Sequence, residues 1–171
     1  MALIGGARVT PEDGLSADDA THLREAIRLA VDNVAAGGGP FGAVVVRDGK
    51  VLATGQNRVT RDNDPTAHAE VQAIRAACSA VGDFALPGAV VYSSCEPCPM
   101  CLASAMWARV SRIVFAADRN DAADGGFDDR AFYDLFAQER STWSLSVENL
   151  RLDGAADPFT AWLASAKRID Y

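Results

Sequence analysis

Apolar residues recur along the chain with two different periods, and the changes of period divide the sequence into alternating helices and strands. Ser16 and Asp19 form a capping-box pattern, which predicts the start of a helix. The apolar positions that follow are spaced as on one helix face: Leu23, Ile27, Ala30, Val31 and Val34. The glycines at 37–39 and the proline after them predict the end of this helix.

A short valine-rich run changes the period and predicts a β-hairpin. Residues 41–46 form the first apolar run, and residues 51–55 form the second. Asp48 and Gly49 lie between them, and an Asp-Gly pair suits a tight turn that needs positive φ. The polar residues 57–66 that follow are predicted to form a loop.

The middle of the chain alternates between helix and strand. A helix is predicted from Ala67 onward, with one apolar face formed by Val71, Ile74, Cys78 and Val81. Residues 89–92 and 113–116 are predicted strands, and the alanine-rich residues 98–109 between them are a predicted helix. The strand and helix order indicates a sheet that is antiparallel at its start and parallel afterwards.

The C-terminal part gives weaker signals. A polar loop is predicted over 118–126, a helix over 127–138 and a short strand over 145–150. Asp157 and Pro158 predict a last helix. Its apolar face and its basic last turn are formed by Phe159, Trp162, Ala166, Lys167 and Arg168.

Together these elements predict one α/β domain over residues 16–171, preceded by a loose segment at 1–15. Helices alternate with strands, which is typical of a three-layer α/β/α architecture around a central mixed sheet. The length of 171 residues fits one domain of this kind.

Composition and charge narrow the classes of function. The formal net charge is −7, which disfavours a protein that binds nucleic-acid phosphates. No apolar run reaches the roughly 18 residues needed to cross a membrane, and the N-terminus lacks a signal-peptide pattern. We therefore expect a cytoplasmic protein, where clustered cysteines more often bind metal than form disulfides.

Two short motifs carry the candidate chemistry. His68 and Glu70 stand at the start of one predicted helix, and Cys98 and Cys101 at the start of another. Cysteines three residues apart share a helix face, and zinc takes cysteine sulfur and histidine nitrogen, with three protein ligands in catalytic sites. The motifs therefore predict a Zn²⁺ site with ligands His68, Cys98 and Cys101.

Glu70 is predicted to act beside this site without being a ligand. It can share the site with His68 only if His68 lies at the extreme N-terminal edge of the helix, because two helical positions differ by about 200°. Zinc lowers the pKa of its water to about 7, and a neighbouring carboxylate can carry the proton to a leaving amine. This chemistry is hydrolytic deamination.

The paired motif H-x-E and P-C-x-x-C resembles that of zinc-dependent cytidine and nucleobase deaminases. Further stretches look like the bacterial guanine deaminase branch of that family, and the resemblance covers roughly residues 20–171. The matching stretches are residues 40–46, 55–57, 63–70, 95–102, 126–129 and 158–171. The resemblance implies a cytidine-deaminase-like fold and deamination of a free nucleobase, with guanine converted to xanthine and ammonia.

The same resemblance implies further site residues and a partner. Asp129 would be a second acidic group at the substrate and a second proton carrier. The substrate-binding residues would be Phe41, Asn57, Ala67, Trp107 and Tyr171. In this branch the C-terminal segment is exchanged between subunits, so Tyr171 would complete the site of the partner in a homodimer.

Several alternatives stay open at the level of sequence. Cys95 lies three residues before Cys98, so a closed structural site of three cysteines and His68 is possible. The same motifs also fit a tRNA adenosine deaminase, or a deaminase of cytosine, a guanine nucleoside or an aminotriazine. A non-catalytic zinc-stabilised module would leave Glu70 unexplained. Without the resemblance, Phe41 could equally be a core residue or a stacking platform, and Trp107 would be a core residue. Asp129 would then be a solvated helix start, and Tyr171 a chain end, which usually frays.

Overall fold

The structure, a computed structural model, describes residues 16–170 and contains a four-stranded mixed sheet. The strands are β1 (Gly42–Arg47), β2 (Lys50–Gln56), β3 (Val90–Cys95) and β4 (Arg112–Ala117), in the order β2-β1-β3-β4. β1 pairs antiparallel with β2 and with β3, and β3 pairs parallel with β4. The predicted mixed sheet is confirmed. The predicted loose segment 1–15 lies outside the described residues, as does Tyr171.

Seven α-helices and one short 3₁₀ helix accompany the sheet in the described part of the chain. The α-helices are α1 (Ala17–Ala35), α2 (Val59–Asp62), α3 (Ala69–Val81), α4 (Pro99–Trp107), α5 (Arg119–Asp124), α6 (Arg130–Phe136) and α7 (Asp157–Ala164). The 3₁₀ helix is Arg140–Thr142. None of the helices within residues 16–170 has the length and apolarity to cross a membrane.

The helices cover both faces of the sheet, which confirms the three-layer α/β/α architecture. Val44 points towards α1, where it packs with Tyr92 and Val114. Val45, its neighbour in β1, points the other way and packs with residues of α3 and α4. This alternation follows from the two-residue period of a strand.

Two glycines let helices approach the strands closely. A Cβ atom on Gly42 of β1 would lie 2.4 Å from the carbonyl oxygen of Ala26 in α1. A Cβ atom on Gly55 of β2 would lie 2.2 Å from the carbonyl oxygen of Ala69 in α3. The backbone of α3 therefore packs directly against β2. This close packing fixes the position of the start of α3, where the candidate site lies.

The buried face of α1 differs from the one that apolar spacing predicts. Ile27, Val31 and Val34 are exposed, and the residues that are buried are Asp19, Leu23, Ala26, Ala30 and Asn33. The two polar residues are buried because each has partners in the sheet layer or the adjoining loops. Asp19 accepts hydrogen bonds from Tyr92 and Arg112. Asn33 donates to the backbone carbonyls of Gly39 and Asn57.

Four local predictions are wrong in their secondary structure. The predicted loop 57–66 contains α2, and the predicted loop 118–126 contains α5, because Asp118 and Asp121 form a capping box. Residues 145–150 form no strand. Lys167 and Arg168 lie beyond α7, because Ser165 is extended and ends the helix at Ala164.

The chain divides into two compact units, with the boundary between Tyr133 and Asp134. The first contains the sheet and helices α1–α5. The second contains the 3₁₀ helix and α7. The sequence prediction of one domain over 16–171 stays a prediction.

Candidate active site

His68 occupies the N-cap position of α3, as the spacing to Glu70 requires. Its backbone is extended, and its side chain makes no capping hydrogen bond. The preceding turn is held by Asp64, whose carboxylate accepts from the Thr66 amide at 2.8 Å. The imidazole is therefore placed at the helix edge without being used as a cap, which argues against a plain capping histidine.

The two cysteines open α4 in the same way. Cys98 is the N-cap, Pro99 follows in the first turn, and Cys101 is buried inside the helix start. The sulfur atoms lie 3.6 Å apart, and Nδ1 of His68 lies 3.6 Å from Sγ of Cys98 and 3.5 Å from Sγ of Cys101.

These distances fit a tetrahedral zinc site. Zinc–ligand bonds of about 2.3 Å to sulfur and 2.0–2.1 Å to nitrogen imply edges of roughly 3.8 Å between sulfurs and 3.6 Å between nitrogen and sulfur. The three observed distances lie within about 0.2 Å of these values. Among residues 16–170, His68, Cys98 and Cys101 are the His, Cys, Asp or Glu side chains whose ligand atoms come together in this way.

The electrostatics of the cluster favour a thiolate. A hydrogen bond from the Cys101 thiol, with a further contribution from His68, lowers the pKa of Cys98 to about 4. The hydrogen bond to Cys98 and burial raise the pKa of Cys101. The hydrogen bond to Cys98 also raises the pKa of His68. Bound zinc deprotonates a coordinating thiol, so both sulfurs can serve as ligands.

Glu70 lies beside this cluster with its carboxylate buried. Its Oε1 atom accepts a hydrogen bond from the Ser93 hydroxyl at 3.1 Å, and Oε2 lies 3.5 Å from Sγ of Cys101. Burial raises the pKa of Glu70. A buried carboxyl group beside the ligand set can hold and release a proton during the reaction.

Cys95 is not part of the cluster. Its thiol points to the backbone carbonyl of Asp118 at 3.6 Å, and burial raises its pKa to about 11. It is absent from the group of metal-ligand candidates found in residues 16–170. The structure therefore gives no support to a closed site of three cysteines and His68.

A cavity of about 520 Å³ opens over the cluster. This volume is ordinary for a site that binds a small molecule. It is lined by His68, Glu70 and Cys98, and its other lining residues are Gly37, Gly38, Gly39, Phe41, Asn57, Val59, Thr60, Cys95, Glu96, Ala122, Phe127, Asp128 and Asp129.

Besides Glu70, the cavity brings together three of the predicted substrate and proton-transfer residues. Phe41 packs edge-on against Phe127, with ring centroids 5.1 Å apart. Asn57 is buried, and its Oδ1 atom accepts from the Val59 amide at 3.2 Å. Burial, with the neighbouring Cys98 thiolate, raises the pKa of Asp129.

The other predicted substrate residues are not placed at the cavity by the described chain. Trp107 is the last residue of α4, about 13 Å along the helix axis from Cys98, and its side chain is 57% exposed. Ala67 is fully buried, and its carbonyl accepts from the Arg58 amide at 2.9 Å. Tyr171 lies outside the described residues.

Sequence reasoning missed a polar cluster that holds the cysteine segment. The Arg119 guanidinium donates to the Glu96 carboxylate at 2.9 Å and lies 3.6 Å from the centroid of the Tyr133 ring. The Tyr133 hydroxyl donates to the carbonyl of Pro97 at 2.8 Å. A hint was available for Glu96 alone, since it stands inside the cysteine motif. Arg119 and Tyr133 lie 23 and 36 residues from their partners, so no local spacing indicates them.

Comparison with known proteins agrees with this geometry. The model of the cytidine and deoxycytidylate deaminase zinc-binding region matches residues 16–117, which is more than half of the chain. The chain belongs to the cytidine and deoxycytidylate deaminase family. It is therefore an enzyme of a zinc-dependent deaminase family, and zinc is its cofactor.

Individual members of the family are similar to this deaminase along different shares of the chain. The guanine deaminase of Bacillus subtilis is 46% identical over 152 residues, which are 88% of this chain and 97% of the relative. The X-ray structure of a guanine deaminase from that organism superposes with a TM-score of 0.85, covering 89% of this deaminase and 98% of that chain. A tRNA-specific adenosine deaminase of Agrobacterium fabrum is 50% identical over 78 residues, which are 46% of this chain and 51% of the relative.

Proposed function

We propose that this deaminase converts free guanine and water to xanthine and ammonia. The observation that carries the proposal is the cluster of His68 Nδ1, the sulfurs of Cys98 and Cys101, and the buried Glu70 carboxylate, of which His68, Cys98 and Glu70 line one small cavity. The guanine deaminase relative supports the choice of base, because its similarity extends along nearly the whole of both chains.

We assign the zinc ligands to His68, Cys98 and Cys101. Zinc held by this set would supply a water with a pKa of about 7, which is a nucleophile at neutral pH. The chain's own proton carrier is Glu70, which would move two protons in turn through Oε2. The first comes from the attacking water and goes to a ring nitrogen of the base. The second comes from the hydroxyl added to the carbon and goes to the amine, which leaves as ammonia when the C–N bond breaks. The Ser93 hydroxyl holds Oε1 and so keeps the carboxylate turned towards the cluster.

The base is bound by other residues that line the same cavity. Because Oδ1 of Asn57 accepts from the Val59 amide, Nδ2 of Asn57 is the donor that faces a ligand. A purine with a ring or exocyclic acceptor suits that donor. Phe41, held edge-on by Phe127, offers an apolar face, and Asp129 offers a second carboxyl group for the amine that leaves.

We also propose that the active form is a homodimer in the cytoplasm, with C-terminal segments exchanged between subunits. An apolar groove in the first unit is lined by exposed residues of α1, including Ile27, Val31 and Val34. In the C-terminal unit Phe159, Leu163 and Ile169 are exposed. Exposed apolar side chains of this size on both units suit mutual burial between two subunits. The free thiols that the site requires suit a reducing compartment.

An ammonia-release screen with parallel zinc analysis tests the substrate. Guanine, guanosine, adenine, adenosine, cytosine, cytidine and an aminotriazine are compared with wild-type protein and with Glu70→Gln. We expect turnover of guanine, far less of adenine, and none of guanine in Glu70→Gln at unchanged zinc content. Strong turnover of cytosine without guanine turnover would overturn the choice of base.

A sedimentation experiment tests the dimer. Val31→Asp places a charge in the groove, and Val51→Asp places one on another exposed valine, in β2, as a control. We expect a dimer for wild type and Val51→Asp, and a monomer with reduced guanine turnover for Val31→Asp. A monomeric, fully active wild type would contradict the proposed assembly.

A further inference from the structure

Asn33 is a buried asparagine on α1 whose amide connects two separate pieces of the cavity wall. Its side chain is 0% exposed. Nδ2 donates one hydrogen to the carbonyl of Gly39 and the other to the carbonyl of Asn57, each at 2.8 Å. Because both acceptors are carbonyl oxygens, the orientation of the amide is fixed by its partners.

Both acceptors belong to residues that line the cavity in which the base would bind. Gly39 and Asn57 line the cavity. They are also joined through Phe41, whose amide donates to Gly39 and whose carbonyl accepts from the amide of Asn57. Asn33 thus holds the backbone of Gly39 and of Asn57, the two residues to which Phe41 is hydrogen-bonded. In this way it also helps to place the side chain of Asn57, which would donate to the ligand.

Two glycines that line the cavity lie close to these asparagine side chains, Gly38 beside Asn33 and Gly39 beside Asn57. A Cβ atom on Gly38 would lie 2.5 Å from Nδ2 and 2.6 Å from Oδ1 of Asn33. A Cβ atom on Gly39 would lie 3.0 Å from Oδ1 of Asn57. At Gly38 the backbone therefore approaches the Asn33 amide more closely than a residue with a side chain allows, and at Gly39 the space beside the Asn57 amide is tight.

The contribution of Asn33 to stability is small compared with its effect on position. Its Oδ1 atom is buried without a hydrogen-bond partner in the described residues. A buried acceptor left unpaired costs about as much free energy as two neutral hydrogen bonds contribute. The net gain from this side chain is therefore the placement of two carbonyls rather than a large stabilisation of the fold.

We propose that Asn33 is a positioning residue for substrate binding: by holding the carbonyls of Gly39 and Asn57 together, it sets the distance between Asn57, Phe41 and the base. This inference rests on the proposed function, which supplies the base as the ligand of that wall. The hydrogen bonds of the Asn33 side chain go to Gly39 and Asn57 and not to the zinc ligands or Glu70. We therefore expect its removal to alter binding of the base and not loading of the metal.

The first test compares Asn33→Ala and Asn33→Asp with Asp19→Asn. Aspartate has nearly the shape of asparagine but presents acceptors to both carbonyls. Asp19 is the matched control, because it is the other buried polar residue on α1 and its partners are Tyr92 and Arg112. We expect both Asn33 variants to lower kcat/KM for guanine about tenfold or more, mainly through KM, with zinc content unchanged. Asp19→Asn should leave KM unchanged.

A second test uses the close contact with Gly38. Gly38→Ala should displace the Asn33 amide and lower kcat/KM by a similar factor. In the background of Asn33→Ala the methyl group has room, so adding Gly38→Ala should then change kcat/KM less than threefold. Strongly non-additive effects of this kind indicate two residues that act through one contact. Additive losses would overturn the proposal.

Amide hydrogen exchange separates this inference from the choice of substrate. Faster exchange at the amides of Phe41 and Asn57 is expected in Asn33→Ala, and not in Asp19→Asn. If the wild type does not deaminate guanine but these amides respond as expected, the proposed substrate fails and the positioning role stands. If exchange is unchanged, or if KM moves equally in Asp19→Asn, the positioning role is refuted.

Discussion

The Ser93 hydroxyl lies 3.1 Å from Oε1 of Glu70 and donates a hydrogen bond to it. Ser93 is on β3 and Glu70 on α3, so the bond joins the sheet to the helix that carries the proton carrier. The next residue of β3, Ser94, is buried as well, but its side chain accepts from the amide of Gly42 instead. Of these two adjacent buried serines, Ser93 is therefore bonded to the proposed proton carrier, whereas Ser94 is bonded to a backbone amide.

The pair provides a matched test of Glu70 orientation. Ser93→Ala should lower kcat/KM for guanine about tenfold, since a hydrogen bond to a charged group contributes about 1.5 kcal/mol or more. Ser94→Ala should destabilise the fold by about 1 kcal/mol and change kcat/KM less than twofold. Steady-state kinetics and denaturant unfolding of both variants check this. Equal kinetic losses would show that Ser93 acts only through stability.

The cysteines differ in their expected effect on zinc. Cys101→Ala should lose bound zinc and all turnover, because it removes one of three closely spaced ligand atoms. Cys95→Ala should keep one zinc per chain and most of its activity, because its thiol faces the carbonyl of Asp118. Metal analysis after dialysis against a chelator distinguishes the two. Loss of zinc from Cys95→Ala would instead indicate a closed structural site.

Tyr133 is expected to support the segment that holds Cys98. Tyr133→Phe removes the hydrogen bond to the carbonyl of Pro97 but keeps the ring beside Arg119. We expect zinc affinity to fall about two- to tenfold, which is the value of one hydrogen bond. Tyr92→Phe serves as the control, because it loses a hydroxyl bonded to Asp19 at 2.7 Å. A competition titration with a chromogenic chelator should show no change in affinity for this control.

The lowered pKa of Asp19 predicts that its contribution to the free energy of unfolding decreases at acid pH. Burial alone would raise its pKa, but hydrogen bonds from Arg112, the Ser16 amide and Tyr92 outweigh burial and lower it below the ordinary value of 3.8. The stabilisation is complete above the pKa of the unfolded chain and disappears as the pH falls through the lowered pKa of the folded state. Asp19→Asn should therefore cost about 1–3 kcal/mol at pH 7 and progressively less below about pH 4.

Chemical unfolding at several pH values measures this difference. Asp18→Asn is the matched control, since Asp18 is the neighbouring acid in the first turn of α1 and is exposed. The control should change the free energy of unfolding by less than about 0.5 kcal/mol at every pH. A cost of Asp19→Asn that is constant between pH 7 and pH 3 would contradict the assigned ionisation.

Local patterns in the sequence predicted the parts of the structure that depend on neighbouring residues. The capping box of Ser16 and Asp19 is present, and Asp48 and Gly49 both have positive φ in the hairpin turn. The zinc cluster could also be predicted, because helix starts place His68 and the cysteines by their local spacing. Residue types and short spacings were sufficient in each of these cases.

What the sequence could not indicate depends on contacts between distant segments. Apolar spacing selected Ile27 and Val31 for the buried face of α1, whereas Asn33 is buried because carbonyls 6 and 24 residues away accept from it. Ser93 likewise meets Glu70 across 23 residues of chain. A polar residue gives no sign in its own neighbourhood of whether the fold will supply it with a partner.

The two polar residues on the buried face of α1 have a consequence for how that helix can move. Asp19 and Asn33 are 14 residues apart, which is about 21 Å along the axis, and each binds groups specific to its own end. A purely apolar stripe can slide or rotate against a sheet at little cost. Here a shift of α1 by one turn would break the hydrogen bonds at both ends together, so the helix has a single permitted register on the sheet.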